Sequence, residues 1–232
     1  MYNPSFMRGT ARKPVPEARR PENAETISEV TTNRLSVYLR CVQALDAAGV
    51  RAVSSQALAE QFDLNAAQIR KDLAQFGEFG VRGVGYHVKE LRRHLRQILG
   101  LDRRIAVAII GAGNLGMALA DYPGFREDGF SIAALFDATP DKIGHRSRVG
   151  VPIHDIRDFR KIVRRERIRI AAVAVPAEAA QGVIDVVVAA GVKAVLNFSP
   201  GTIKVPPDVK LKSVDLTVSL ESLSFFLAHG RE

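Results

Sequence analysis

The sequence predicts an α/β protein with two folded domains and a separate C-terminal helix. Residues 32–99 show the apolar spacing of helices around one glycine-rich segment, and an apolar strand over Ile105–Ile110 leads into the pattern Gly-Ala-Gly-Asn-Leu-Gly. Strand and helix patterns then alternate toward the C-terminus. Such alternation is typical of a parallel sheet covered by helices.

The composition is that of an ordinary globular chain. The 232 residues, 47% of them hydrophobic, are enough for two small domains. No apolar run approaches the length of about 18 residues that spans a bilayer, and the N-terminus lacks the apolar centre of a secretory signal. These features predict a cytoplasmic protein without membrane contact. The single cysteine, Cys41, lies in an apolar helical pattern, which predicts a buried structural thiol.

The net charge of +8 suggests an anionic partner. The charge is unevenly distributed, since residues 64–104 carry nine Lys or Arg against four acids, just before the glycine motif. Residues 1–30 are rich in Pro, Arg and Glu and show no apolar period. That composition predicts a disordered tail.

Three helices are predicted after the tail. Apolar residues recur at helical spacing from Thr32 until Gly49 stops the run, and Ser54 or Ser55 then caps a short second helix. Asn65 caps a third helix that extends to about Phe76. A short turn between the second and third helices gives the order of a helix-turn-helix.

The third helix has an apolar face and a basic face. Ile69, Leu73 and Phe76 lie on one side, which predicts the core face. The opposite arc is small, polar and basic, with Asp72 at its edge, and consists of Ala67, Gln68, Arg70, Lys71, Ala74 and Gln75. Such an arc is what a DNA recognition helix needs, because slim residues enter the major groove and Gln, Arg and Lys reach bases and phosphates. The alternative is an ordinary solvated face.

The segment from Gly77 to Val88 predicts a two-stranded hairpin, because glycines alternate with β-favouring residues. Three helices and a hairpin make a winged helix, here over residues 31–101, with Lys89–Leu99 as its closing amphipathic helix. Arg82 lies near the wing tip, unless this segment is simply a glycine-rich surface loop. The candidate DNA contacts are Ser54, Ser55, Gln68, Arg70, Lys71, Arg82 and Gly83.

The glycine motif predicts a Rossmann-type, doubly wound dinucleotide-binding domain over residues 102–213. Gly111 allows the sharp turn, Gly113 lets the backbone approach phosphate, and Gly116 lets the helix pack closely on the strand. Asp137 ends the next strand, 21 residues after Gly116. An acid there accepts from an adenosine ribose and repels a 2′-phosphate, which favours NAD(H) over NADP(H). An ordinary pair of turns and an exposed loop aspartate are the alternatives.

The alternation continues beyond Asp137. The pattern predicts a helix over Asp155–Glu166, a strand over Ile168–Val175, a helix over Ala177–Ala190 opened by Pro176, and a strand over Lys193–Leu196. Pro176 and the segment 197–200 fall at the carboxyl edge of the sheet, as structural turns or as cofactor contacts. The candidate cofactor contacts from these patterns are Gly111, Ala112, Gly113, Asn114, Leu115, Gly116, Asp137, Val175, Pro176 and Ser199.

The last segment, residues 214–232, contains an apolar helix predicted over Leu216–His229. A terminal helix this apolar must pack on something, either its own domain or a partner subunit.

Several short strings occur together in the chain. They are Arg34-Leu35 with Tyr38-Leu39-Arg40, Gln68 to Leu73, Gly80 with Arg82 to Tyr86, Gly111 to Gly116, Ala120 to Phe125, Leu196-Asn197-Phe198, and Val214-Asp215. In this combination the chain resembles the Rex family of redox-sensing transcriptional repressors over nearly its whole length after residue 30.

The resemblance implies a homodimer with a C-terminal helix swapped between subunits. It further implies binding to pseudo-palindromic operator DNA when NAD⁺ prevails and release by NADH. Tyr122 matches a tyrosine near the nicotinamide, and Arg40 and Asp215 match an ion pair between subunits. The sequence departs from the family pattern at Leu216, where family members often carry an aromatic residue.

Two alternatives are an NAD-dependent dehydrogenase with an incidental basic domain, and a DNA-binding protein whose Rossmann domain is silent. A dehydrogenase needs a proton donor near the nicotinamide. The five histidines are unpromising, each expected to be an exposed or satisfied surface residue: His87, His94, His145, His154 and His229. We therefore expect no catalytic residue, no substrate turnover and no metal site.

Overall fold

The structure is a computed structural model that describes residues 27–230. The chain divides into two compact units, with the boundary between Asp102 and Arg103, one residue beyond the predicted one. The predicted tail lies outside the described residues except for its last four. There the prediction is too long, because the first helix begins at Glu29 and Ser28 caps it by accepting from the Thr31 amide.

The first unit contains four helices among its described residues. Asn65 caps the third by accepting a hydrogen bond from the Gln68 amide, as the sequence indicated. The helices are α1 (Glu29–Ala47), α2 (Ser55–Phe62), α3 (Ala66–Ala74) and α4 (Val88–Ile98).

A small antiparallel sheet completes the first unit. Its strands are β1 (Ala52–Val53), β2 (Gly80–Val81) and β3 (Gly85–His87), in the order β1-β3-β2. The β2–β3 hairpin confirms the predicted wing, whereas β1 was not predicted, since two residues give no periodic signal. Gly85 has φ +89°, and a Cβ there would lie 2.5 Å from the Val53 carbonyl oxygen, so this close strand approach requires glycine.

The core of the first unit is formed by apolar side chains of its helices. Leu35, Ile69 and Leu95 are fully buried and come from α1, α3 and α4 respectively. His94 is also buried, with its ring 4.8 Å from that of Phe79, so the expectation that it lies at the surface is wrong. It falls on the apolar stripe of α4 next to Leu95.

The second unit is built on a six-stranded parallel sheet. Its strand order, β6-β5-β4-β7-β8-β9, is the Rossmann order. The chain adds β5 and β6 on one side of β4, then crosses over and adds β7, β8 and β9 on the other side, and all strands stay parallel. The strands are β4 (Ile105–Ile110), β5 (Phe130–Asp137), β6 (Ile153–Asp155), β7 (Ile170–Val173), β8 (Ala194–Asn197) and β9 (Lys210–Ser213).

The helices of this unit are α5 (Asn114–Asp121), α6 (Gly124–Glu127), α7 (Phe159–Arg165), α8 (Ala177–Ala189) and α9 (Leu216–His229). One core cluster contains Phe136 and Phe159, whose rings meet edge to face at 4.8 Å. Another contains Ile109 and Leu135. None of the helices in residues 27–230 is long and apolar enough to cross a bilayer.

The predicted helix over Asp155–Glu166 begins too early. Residues 153–155 form β6, which pairs with β5 through Ile153 and Leu135, and a 3₁₀ turn over Ile156–Asp158 precedes α7. Asp155 ends the strand because its side chain accepts from the Arg157 amide. Strand β9 was not predicted either, because its short run of Lys and Leu is mostly exposed and has no apolar pattern.

The final helix, α9, has the predicted bounds. Its N-terminus is capped by Asp215, which accepts from the Thr217 and Val218 amides at 2.8 and 3.4 Å. Every residue of α9 is exposed in the single chain. The exposed residues include seven large apolar side chains: Leu216, Val218, Leu220, Leu223, Phe225, Phe226 and Leu227.

Candidate functional site

The glycine loop lies where the strand order reverses, the usual ligand crevice of an open α/β sheet. Gly111 has φ +100°, and a Cβ there would lie 2.2 Å from the Ala174 carbonyl oxygen, just beyond β7. A Cβ on Gly116 would lie 1.8 Å from the Gly111 carbonyl oxygen. Both positions therefore require glycine. A Cβ on Gly113 would meet no described atom within 4 Å, so this backbone is open to an approaching phosphate.

Helix α5 begins directly after this loop with Gly113 as its N-cap residue, and no described side chain caps it. The first amides of the helix, on Asn114, Leu115 and Gly116, have no partner within the helix. Such amides and the positive end of the helix dipole favour an anion. The residues present thus fit a dinucleotide pyrophosphate.

Asp137 ends β5 and binds the same loop. Its Oδ2 accepts from the Ala112 amide at 2.8 Å and from the Lys142 ammonium at 2.9 Å, and its Oδ1 accepts from the Thr139 amide at 2.9 Å. Burial alone would raise the pKa of Asp137, but the Thr139 backbone, the Lys142 side chain, the Thr139 hydroxyl and the Ala112 amide together lower it to about 2. The carboxylate is therefore ionised at neutral pH and held beside the glycine loop.

This pKa predicts an acid-sensitive contribution to stability. Because the folded pKa lies below the ordinary value of 3.8, the ionised form stabilises the fold above about pH 4, and this contribution is lost as pH falls toward 2. The side chain is 10% exposed, and the expected contribution is about 2 kcal/mol. Urea unfolding of wild type and Asp137→Asn at several pH values measures it. The stability advantage of wild type should shrink as pH falls, and a constant difference would contradict the assignment.

The opposite wall of the crevice follows β7. The Ser199 hydroxyl donates to the Val175 carbonyl oxygen at 2.7 Å and accepts from the Val175 amide at 3.3 Å. The buried Asn197 side chain holds the Ser199 backbone: its Nδ2 donates to the Ser199 carbonyl oxygen at 2.9 Å, and its Oδ1 accepts from the Ser199 amide at 3.0 Å. Ser199 therefore fixes the backbone at Val175, and Pro176 follows at the N-cap of α8 rather than inside its first turn.

Tyr122 stands at the end of α5 and is 56% exposed. Its ring meets Phe125 edge to face at 5.1 Å and lies over Gly124, where a Cβ would be 2.6 Å from the ring. Sequence reasoning missed Asp121, which accepts from the Arg148 and Val149 amides at 3.3 and 3.0 Å. Asp121 thus attaches a basic loop to the end of the helix that carries Tyr122.

The predicted DNA contacts of the first unit fall into two groups. On the helix-turn-helix, Arg70 and Lys71 are exposed on α3, and the Arg70 guanidinium donates to the Ser55 hydroxyl at 2.8 Å. Ser54 is the N-cap of α2. Arg82 and Gly83 are exposed in the turn of the wing, where Gly83 has φ +81°.

Asp72 is fully buried, which corrects its expected place at the edge of the wet arc. It accepts from Arg34 at 2.6 and 2.8 Å, from the Tyr38 hydroxyl at 2.9 Å and from Nε2 of the Gln68 side chain at 2.7 Å. Burial would raise the pKa of Asp72, but hydrogen bonds from Arg34, Gln68 and Tyr38 lower it. Burial and the bond to Asp72 raise the pKa of Tyr38 to about 12.

This network ties α1 to α3 and holds Gln68, which is half-buried rather than fully outward-facing. The helical pattern alone did not indicate the network, because it joins residues that are 34 and 38 positions apart in the chain. The available signal was the spacing of Arg34 and Tyr38, four residues apart on one face of α1.

Removing the Asp72 carboxylate should destabilise the first unit. The Asp72→Ala variant leaves the Arg34 guanidinium and the Tyr38 hydroxyl without their acceptor, and we expect a loss of about 2–3 kcal/mol. Urea unfolding combined with amide exchange in α1 and α3 measures the effect. The matched control is Glu60→Ala, which removes an exposed acid from α2 and should change stability by less than about 0.5 kcal/mol. Equal stability of the two variants would contradict a structural role for the network.

Arg40 is exposed on α1, and Asp215 caps α9. Their ion pair between subunits stays a prediction.

Comparisons with known proteins agree with this division into two units. Residues 26–74 match the family described as "Putative DNA-binding protein N-terminus", and residues 102–201 match the one described as "CoA binding domain". A redox-sensing transcriptional repressor Rex from Syntrophomonas wolfei is 50% identical, over 87% of this chain and 96% of its own length. Rex from Desulfitobacterium hafniense is 46% identical, over 86% of this chain and 94% of its own length.

Solved structures give the same result. The crystal structure of RSP in complex with beta-NAD⁺ and operator DNA has a TM-score of 0.83 and 40% identity, covering 87% of this chain and 92% of that one. The RSP complex with beta-NADH has a TM-score of 0.77 and 39% identity, covering 87% of this chain and 94% of that one. Another RSP structure, at 39% identity, is described as a Rex-family repressor.

A winged helix with an exposed basic third helix, followed by a Rossmann domain with an open glycine loop, defines a class of transcription regulators that respond to a nucleotide. Within that class, this chain belongs to the Rex family of redox-sensing transcriptional repressors.

Proposed function

We propose that this protein is a cytoplasmic, homodimeric repressor that binds a pseudo-palindromic operator when NAD⁺ prevails and leaves it when NADH binds, without turning over a substrate. The observation that carries the proposal is Asp137, an ionised carboxylate beside an open glycine loop, in one chain with an exposed basic helix. The complexes described for RSP, with NAD⁺ and operator DNA and with NADH, support it.

In the proposed site, the first amides of α5 and the open backbone at Gly113 bind the pyrophosphate, while Asp137 accepts from the adenosine ribose. Val175, Pro176 and Ser199 form the opposite wall, and Tyr122 lies near the nicotinamide. The nicotinamide is cationic when oxidised and neutral when reduced. A pocket closed by apolar groups therefore favours NADH, because burying an unpaired charge is costly.

In this proposal, closure of the nicotinamide pocket changes DNA affinity by changing the arrangement of the two subunits in the dimer. The Arg40 and Asp215 side chains link the DNA-reading and nucleotide-binding domains of different subunits in this proposal. A change in subunit orientation alters the spacing of the two recognition helices, which must match operator half-sites about one helical turn, or a multiple, apart. The ligand shifts this equilibrium only by the difference in its affinity for the two states.

The proposal is tested on an operator selected from random DNA by the protein in the presence of NAD⁺. A gel-shift titration at fixed salt then adds NADH, NAD⁺ or NADPH separately, since DNA affinity depends on salt. We expect release by NADH and little effect of the other two. If none of the three nucleotides changes DNA affinity, the alternative of a DNA-binding protein whose Rossmann domain has no regulatory role is favoured. Failure to select DNA, together with turnover of a 2-hydroxy acid or an aldehyde, would favour the dehydrogenase alternative.

The Asp137→Ala variant should separate the two activities. Losing a charge-assisted hydrogen bond to the ribose is expected to weaken NADH binding by about 10- to 100-fold, while DNA binding is retained. Fluorescence titration with NADH and the gel shift measure the two effects. The control is Asp141→Ala, which removes an exposed acid from the neighbouring 3₁₀ turn. Lost DNA binding with retained NADH affinity would contradict this division of labour.

A further inference from the structure

Lys142 forms an ion pair with the carboxylate assigned to the ribose. It ends the 3₁₀ turn Pro140–Lys142, and its ammonium lies 2.9 Å from Asp137 Oδ2. The lysine side chain is 39% exposed, whereas the Asp137 side chain is 10% exposed. The cation is therefore the more exposed partner of the pair.

The hydrogen bonds of Asp137 limit how it can bind a ribose. A carboxylate offers about four lone-pair directions. Three are taken by the Ala112 amide, the Thr139 amide and the Lys142 ammonium, and the Thr139 hydroxyl donates to the carboxylate as well. Binding two ribose hydroxyls at once therefore requires donors to leave. Two of these donors are backbone amides fixed by their loops, the Thr139 hydroxyl is on a short side chain, and Lys142 is the donor on a long, flexible side chain. Lys142 is therefore the donor that can most easily move aside for a ribose hydroxyl while its backbone stays two residues from the Pro140 turn start.

Two other cations follow in the loop after Lys142, but both have other partners. Arg146 donates to the Gly150 carbonyl oxygen at 2.9 Å. Arg148 lies 3.9 Å from Asp121. Lys142 is thus the cation of this loop that contacts Asp137.

We propose that Lys142 sets the strength with which this site rejects a 2′-phosphate, and that it becomes a 2′-phosphate ligand once the Asp137 carboxylate is neutralised. The inference rests on the proposed NAD(H) function. In the native pair, Lys142 offsets the negative charge of Asp137, so rejection of NADPH is weaker than a lone carboxylate would give. Without that carboxylate, the ammonium can donate to the phosphate oxygens in a charge-assisted hydrogen bond.

The test measures NADH and NADPH affinity by fluorescence titration, at two salt concentrations, for wild type, Asp137→Asn, Lys142→Met and the double variant. Asp137→Asn should weaken NADH binding about tenfold and strengthen NADPH binding about tenfold, the size of one charge-assisted hydrogen bond. Lys142→Met should weaken NADPH binding several-fold relative to NADH. The double variant should lose the NADPH gain, and with it the salt sensitivity that a phosphate contact brings.

The control adds Lys161→Met to the Asp137→Asn protein. It removes an exposed cation from α7, far along the chain from the turn that carries Lys142, and the NADPH gain should persist. Asp137→Ser serves as a second neutral variant if Asp137→Asn folds poorly, and it should show the same dependence on Lys142.

The outcomes separate this inference from the proposed function. If wild type binds NADH but the NADPH gain is equal with and without Lys142, the role of Lys142 is overturned and the NADH function stands. A wild-type protein that binds neither dinucleotide overturns both. A gain that disappears with Lys142 and persists with Lys161→Met supports the inference.

Discussion

Placing two charges on the C-terminal helix should separate the proposed dimer into monomers. The Leu220→Glu/Leu227→Glu variant changes two side chains that are 66% and 87% exposed in the single chain and lie on one face of α9, seven residues apart. Burying a large apolar side chain contributes about 1.5–3 kcal/mol, and a carboxylate in its place must be desolvated without a partner. We expect the dimer dissociation constant to rise at least about 1,000-fold.

Sedimentation over a range of concentrations measures the dissociation, and the gel shift measures its effect on DNA binding. A monomer presents one recognition helix to a two-half-site operator, so DNA affinity should fall with the dimer. The matched control is Val149→Glu/Val186→Glu, which adds the same charges at valines that are 40% and 42% exposed in the second unit. A charged α9 that still forms dimers would mean that another surface joins the subunits.

Adding one methyl group at Gly116 should unfold the glycine loop and abolish nucleotide binding. In Gly116→Ala the new Cβ would lie 1.8 Å from the Gly111 carbonyl oxygen and 3.0 Å from its carbonyl carbon, both backbone atoms. Since no side-chain rotation relieves this overlap, α5 must move away from β4. We expect a loss of about 3 kcal/mol or more in the stability of the second unit, with NADH affinity falling below detection.

The control for this variant is Gly182→Ala, another glycine within a helix. A Cβ at Gly182 meets no described atom within 4 Å, so alanine should stabilise α8 by about 0.5–1 kcal/mol. Urea unfolding of the two variants should therefore shift in opposite directions. If Gly116→Ala is as stable as Gly182→Ala, the explanation that Gly116 is needed for the close approach of α5 to the glycine loop is wrong.

Much of the fold could be predicted because its signals are local. The bounds of α9 are as predicted, since Asp215 caps the helix and a long apolar run follows. The strand-glycine-helix order around Gly111 was predicted for the same reason. The strands β1 and β9 were missed because each is defined by its pairing with a distant strand, to β3 and β8 respectively. Neither carries a periodic pattern of its own.

The residues of the candidate site also fall into those that local sequence patterns predict and those that only the folded chain reveals. The sequence indicated Asp137, because an acid at a fixed distance beyond a glycine motif is a local pattern. The Lys142 ion pair, by contrast, depends on how the chain turns after β5. Asp72 shows the difference most clearly: helical spacing placed it at a wet edge, yet it is buried under Arg34, Tyr38 and Gln68.

By itself, the sequence determined the order of the two domains, the glycine loop with the acid that ends the next strand, the basic face of α3 and the apolar last helix. These depend on periodicity, capping and backbone freedom, which act over a few residues. The tertiary structure decided that Asp72 is buried, that Ser199 holds Val175, and that Lys142 pairs with Asp137. Hydrogen bonds and charges at these sites join residues that only the folded chain brings within 3 Å, and their energies depend on the burial that the same folding creates.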